Sequence, residues 1–184
     1  MTIRAPYLNK ESIWSRVHEF VRSHPRASAI PVDIEKIIEI DMGIEIVPVR
    51  DLRFNKIDAY VTQDFQTIVV DAEHYADETY YSRIKFSLAH ELGHVILHRD
   101  FFIANSGATE EWFNFMNNLP DDQYSFLEYH ANEFAGVLLV PADRLIQEIK
   151  DGRTNFNELA RLFEVSSQAI KHRIGNDDVY PHIS

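Results

Sequence analysis

The chain has 184 residues, 45% of them hydrophobic and 12% aromatic, enough for one buried core and at most two small lobes. Lys and Arg total 18 against 29 Asp and Glu, a formal charge of -11, which argues against a surface that tracks a nucleic-acid backbone. The absence of cysteine excludes disulfide frameworks, zinc ribbons and thiol catalysis, and the 9 histidines direct attention to metal chemistry.

No N-terminal apolar run has signal-peptide length and none approaches the roughly 18 residues of a membrane span, so a soluble cytoplasmic protein is expected. Glu11 to His24 carries Ile13, Val17, Phe20 and Val21 at helical spacing, and Pro25 ends it. A second helix is entered through Pro31 and Asp33 and stops at Gly43. Ile44 to Val49 alternates as a strand, with Pro48 marking an edge position. Ala59 to Thr62 and Thr67 to Val70 read as a hairpin across a polar turn. A long helix is predicted from Glu78 to His98, then an irregular stretch over 101–119 that holds Trp112, Phe113, Phe115 and Met116. That aromatic cluster reads as a surface helix folded onto the core, with a wall of a cleft as the other reading. A further helix runs from near Pro120 to Pro141, and two short ones follow, Asn157 to Phe163 and Ser166 to Ile174. The sum is an α+β fold: a small antiparallel three-stranded sheet, a helical core and a C-terminal helix-turn-helix-like pair. The expected division is residues 1–150 and 151–184.

The chemistry is concentrated in His90-Glu91-Leu92-Gly93-His94, inside the long helix. Histidines four residues apart rise about 6 Å and differ by about 40° around the axis, so both rings can face one ion. Glu91 lies about 60° from His94, close enough to take a proton from a water that the ion activates. Two imidazoles and a carboxylate base are what a zinc hydrolase needs. Shuffling the sequence yields roughly 0.04 such motifs by chance, so the pattern is favoured over a pair of core histidines. A mid-helix glycine costs about 1 kcal/mol relative to alanine, and Gly93 therefore points to close approach by another backbone.

A third ligand is required. His98 fails, because eight residues of helix rise about 12 Å; it is assigned to the helix C-terminus, where a cationic ring is favoured. Glu128 is preferred, with Asn132 on the same face at i+4 to orient a histidine. His130, about 160° from Glu128 on the wheel, is the alternative ligand and otherwise an ordinary partly exposed residue. Ala131, Ala135 and Gly136 are small enough to let this helix approach the first. The electrophile for a developing oxyanion stays open among Tyr124, Tyr129 and His130. An extended substrate is expected along a sheet edge, at Thr67 to Val70.

FSLAHELGHVILH followed by EYHANEFAGVLLVP resembles the ImmA/IrrE-type zinc metallopeptidases. The likeness extends upstream through IPVDIEKIIEIDMGIEIV and downstream through NELARLFEVSSQAIKHRIG, about residues 12–175, with departures at His130 and Val140. It implies a gluzincin plan: one Zn2+ per chain on His90, His94 and Glu128, with Glu91 as general base. It also implies regulatory proteolysis, in which a helix-turn-helix repressor of a phage, mobile element or stress regulon is cut or otherwise relieved. A toxin role beside a DNA-binding antitoxin is a variant of the same chemistry. The rival class is a DNA-binding or repressor-gripping regulator that uses residues 154–174. That segment sets Arg161, Lys171 and Arg173 against Glu158 and Glu164, a weak charge for phosphate contact, so a packing module is the favoured reading and direct nucleic-acid binding is not expected.

Overall fold

The computed structural model describes residues 4–55, 57–105, 116, 118–176 and 178–183. Helix α1 (Lys10–Ser23) starts where the Asn9 side chain accepts the Ser12 N–H, and it buries Ile13, Val17 and Phe20. Helix α2 (Ile34–Lys36) is capped by Asp33 and continues as a π-helical turn (Ile37–Asp41). Gly43, at a φ of 65°, turns the chain into strand β1 (Glu45–Val49).

Strands β2 (Ala59–Val61) and β3 (Thr67–Asp71) are antiparallel, as expected, but β1 and β3 are parallel, so the sheet is mixed rather than antiparallel. The order is β1-β3-β2. The reason lies in the side chains: Ile68, Val69 and Val70 are all buried, so both faces of β3 demand cover and it takes the centre. Pro48 lacks an N–H and sits on the edge strand β1.

Helix α3 (Ala72–Ala76), capped by Asp71, follows directly, an element that the hydrophobic pattern is too short to announce. Helix α4 (Tyr81–Asn105) continues beyond the expected stop at His98. No Gly or Pro interrupts it there, and buried Phe102 packs edge-on against Phe65 with ring centroids 5.5 Å apart. Of the 101–119 stretch, Trp112, Phe113 and Phe115 lie outside the described residues, and Met116 is buried.

Helix α5 (Asp121–Leu139) packs along α4. Helix α6 (Ala142–Lys150) was not expected; Pro141 starts it, Asp143 and Lys150 suit its two ends, and Leu145 is buried. Helices α7 (Phe156–Phe163) and α8 (Ser167–Ile174) match the expected pair. One buried hydrophobic cluster extends from Ile13 to Val179 and takes in Leu159, Phe163 and Ile170 of that pair. Two polar ties reinforce the contact: Lys85 Nζ lies 2.8 Å from Glu164, and Arg173 Nε donates to the Val140 carbonyl over 3.0 Å.

Candidate metal centre

The packing of α4 on α5 is close because of one residue. A Cβ on Gly93 would lie 3.1 Å from Ala131 Cα and 3.2 Å from Ala131 O, so any larger residue would press the two backbones apart by a few tenths of an ångström. The approach brings His90 and His94 of α4 opposite Glu128 of α5. Gly136 plays no part in it, since a Cβ there meets nothing within 4 Å.

His90 Nε2 and His94 Nε2 are 3.0 Å apart, and the Glu128 carboxylate lies 3.5 Å from the first and 3.4 Å from the second. Tetrahedral zinc with bonds near 2.0–2.1 Å holds its ligand atoms about 3.3 Å from one another. The three side chains therefore fit such an ion, and this group could hold a metal. His90 donates from Nδ1 to Asn132 Oδ1 over 3.0 Å, which leaves its Nε2 lone pair for the ion, the orienting role that the i+4 spacing assigns to Asn132.

Behind His90 and His94 lies a chain of imidazoles. His94 Nδ1 is 2.9 Å from His98 Nδ1, and His98 Nε2 is 3.3 Å from His130 Nδ1. His98 is fully buried in mid-helix, so it is not a cationic C-terminal cap; burial and the neighbouring His94 and His130 push its pKa well below the usual range. His130 is also fully buried rather than partly exposed, and its Nε2 lies 3.3 Å from the Leu8 backbone nitrogen. With both ring nitrogens engaged this way, His130 supports His98 and stands outside the metal group. Helical spacing alone gives no sign of this depth, because the covering residues come from α5 and the N-terminal arm.

Electrostatics follow from burial and proximity. Burial pushes Glu91 up to about 7, against the nearby His90. Burial pushes His94 down to about 4, although Glu128 opposes it. His90 is raised, since hydrogen bonding to Glu128 and the charge of Glu91 outweigh its burial. Glu128 is lowered well below the carboxylate range: its burial is overcome by the hydrogen bonds to His90 and His94.

These groups open into a cleft of roughly 310 Å³ between the sheet edge and α4–α5, lined also by Ala59, Tyr60, Met116 and Tyr124. Thr62 donates to Thr67 and Asp71 to Asp58, each at 2.9 Å, so the antiparallel alternation turns the backbone groups of Ala59 and Val61 away from β3 and out along the free edge. The Val61 N–H there meets Glu91 Oε2 at 3.1 Å. Strand β3, expected as the docking edge, is paired on both sides; the unpaired edge at the cleft is β2. Of the three oxyanion candidates, Tyr124 lines this cleft, whereas Tyr129 and His130 line others.

The helix-turn-helix-like pair loses one of its three cations to the core. Arg173 is 2% exposed, and its guanidinium is held by Asp178 at 2.6 Å and by Val140.

A family model described as the IrrE N-terminal-like domain, of the M78 peptidases, matches residues 45–175. No curated protein sequence matches the chain. A solved structure, a Mycobacterium tuberculosis transcriptional regulator, is similar with a TM-score of 0.60 at 19% identity; the match covers 92% of this chain and 47% of that one. That likeness is one of fold, and this chain spans about half the length of that protein.

Proposed function

The chain belongs to the IrrE N-terminal-like peptidase family, and on that premise we propose that it is a zinc-dependent metalloendopeptidase of regulatory type that cleaves or relieves a helix-turn-helix repressor. The observation that carries the catalytic part is the convergence of His90, His94 and Glu128 to within 3.5 Å of one another, with Glu91 open to the same cleft.

His90, His94 and Glu128 hold one zinc ion in this reading, and Asn132 and His98 set the two rings. Zinc in such a site acidifies water and polarises a carbonyl. Glu91, oriented by the Val61 N–H, takes the proton from the attacking water and delivers it to the leaving amine. Tyr124 is the oxyanion donor that best fits the cleft. The substrate pairs as a strand with Ala59 on the free edge of β2, which places its backbone beside the metal group. Residues 1–150 carry the chemistry, and 151–184 form the helical module packed on it. Among the described residues no helix is long and apolar enough to cross a membrane, and a cytoplasmic repressor is the partner that suits the family. The buried Arg173 weighs against direct DNA reading by the C-terminal pair.

The test measures zinc content, repressor release and fragment formation together, in wild type and Glu91→Gln, against a helix-turn-helix repressor encoded nearby. The variant is expected to keep zinc and partner affinity and to lose about 10²–10⁴ in cleavage rate, the usual worth of a positioned general base. Release by wild type without any new fragment, unchanged in the variant, would refute proteolysis.

A further inference from the structure

Beside the metal cleft lies a second cavity of roughly 480 Å³, and Phe86 and Asn132 line both. Asn132 is the residue that holds His90, so the two spaces meet one side chain away from the metal group. The outer wall of the second cavity is α8, through Ala169 and His172; its inner wall is α5, through Gly136 and Glu133. The open space that a Cβ would find at Gly136 is consistent with a cavity built to hold a side chain.

Glu133 gives the cavity its chemistry. The residue is 5% exposed. Its Oε1 accepts the Trp14 indole N–H at 2.8 Å and the Asn176 amide at 3.4 Å, both neutral donors. Its Oε2 accepts no hydrogen bond from any described residue. The one arginine or lysine among the described residues of the lining, Arg173, is already engaged by Asp178 and the Val140 carbonyl, and Lys171 of the same helix sits over the Phe156 ring at 5.6 Å. Oε2 is not among the buried atoms without a partner, so it is reached from the cavity that Glu133 lines, where a carboxylate oxygen with no counter-ion attracts an entering cation.

We propose that this cavity is a substrate subsite for a basic side chain, arginine or lysine, with Glu133 as its specificity-determining residue. The proposal rests on the peptidase reading for the word substrate. A chain of net charge -11 attracts basic segments at long range, and DNA-binding surfaces are where a repressor concentrates arginine and lysine. Selection for a basic residue next to the scissile bond therefore directs the cut into or beside the repressor's DNA-binding region. It also gives α8 a role: the helix that a DNA reader would lay in a groove here walls a pocket for the substrate.

The competing account is that Glu133 only ties α1 and the 176 turn to α5. Both of those bonds use Oε1, and a glutamine amide oxygen accepts them equally well, so Glu133→Gln removes the charge and keeps the ties. The first experiment needs no catalysis. Nα-acetyl-arginine methylamide, its lysine counterpart and the uncharged citrulline isostere are titrated into ¹⁵N-tryptophan-labelled protein, and the Trp14 indole N–H signal is followed. A saturable shift with the two cations, at least tenfold weaker with citrulline, is expected. Both Glu133→Gln and the cavity-filling Gly136→Leu should abolish it. An equal response to citrulline, no response to any, or a shift that survives Glu133→Gln overturns the proposal. The second experiment compares cleavage of repressor-derived peptides that differ only in arginine against citrulline beside the cut bond. The wild type should favour arginine at least tenfold in kcat/KM, and Glu133→Gln should be indifferent. Cation binding with no peptide cut would leave the pocket and remove the peptidase; efficient cutting with no preference would do the reverse.

Discussion

The backbone N–H of Val61, on the free edge of the sheet, donates to Oε2 of Glu91 over 3.1 Å. The strand proposed to receive the substrate thus aims the carboxylate proposed to act on it, and the bond lies in a buried setting. Replacing Glu91 by alanine leaves that N–H without a partner, whereas glutamine retains an acceptor. Glu91→Ala is expected to lower stability by about 1–3 kcal/mol, the cost of a buried unsatisfied donor, and Glu91→Gln by much less. Urea unfolding of the metal-free proteins checks this; equal losses for the two variants would show that the bond does not orient Glu91.

Gly93→Ala tests the contact that assembles the metal group. Helix propensity favours alanine by about 1 kcal/mol, but the new methyl meets the Ala131 backbone, which cannot turn aside. Overpacking of this kind costs about 1–3 kcal/mol. The variant is expected to be less stable and to bind zinc more weakly, because α4 and α5 must separate. A more stable variant with unchanged zinc affinity, measured by chelator competition, would contradict the finding.

Asn132→Ala and His98→Ala remove the partners of His90 and His94, the two imidazoles proposed to hold zinc. Loss of such a partner lowers metal affinity by about 10- to 100-fold. Chelator competition should place both variants in that range, with Glu128→Ala further down and one zinc per chain in wild type. The expectation for His98 differs from the one that helical distance alone supports, since His98 is too far along the helix to ligate the proposed ion but contacts His94 and would act through it. Wild-type affinity in His98→Ala would mean that the imidazole chain is packing only.

Two tyrosines make a pH prediction away from the metal group. Tyr75 donates to Glu35 at 2.9 Å and Tyr81 to Glu164 at 3.1 Å. Burial first, and then the adjacent carboxylate, pushes each phenol up to about 12 from its ordinary 10.0. The folded state therefore binds more protons than the unfolded state between pH 10 and 12. The contribution is fully present below pH 10 and is lost as pH rises toward 12. Unfolding measured across that window should show a decline that is shallower in the Tyr75→Phe, Tyr81→Phe double variant, and ultraviolet titration of that variant should show two fewer late phenols than wild type. A decline of equal slope in the double variant would assign it elsewhere.

What the amino-acid sequence by itself determined follows the periods of single elements. The i, i+4 spacing puts His90 and His94 on one face, and the same spacing puts Asn132 beside Glu128. Pro48, lacking its N–H, is barred from the centre of a sheet, and the cost of Gly93 in a helix announces a close neighbour. Each of these is a property of the local chain, and each has its counterpart in the fold. Tertiary structure decided the rest, because it depends on what a distant segment places against a residue. His98 looks like a helix end until the helix continues to Asn105 and α5 covers it. His130 looks exposed until Leu8 closes over its ring. Strands β2 and β3 are equally plausible edges from their own residues; β3 becomes central because β1 pairs with it in parallel, and this leaves β2 open at the cleft. Arg173 counts among three cations of the C-terminal pair until Asp178 and Val140 hold it, and Glu133 looks like one acid among 29 Asp and Glu until Trp14 and Asn176 fix its Oε1. Periodicity tells which way a side chain points along its own helix or strand, and only long-range packing tells what it meets.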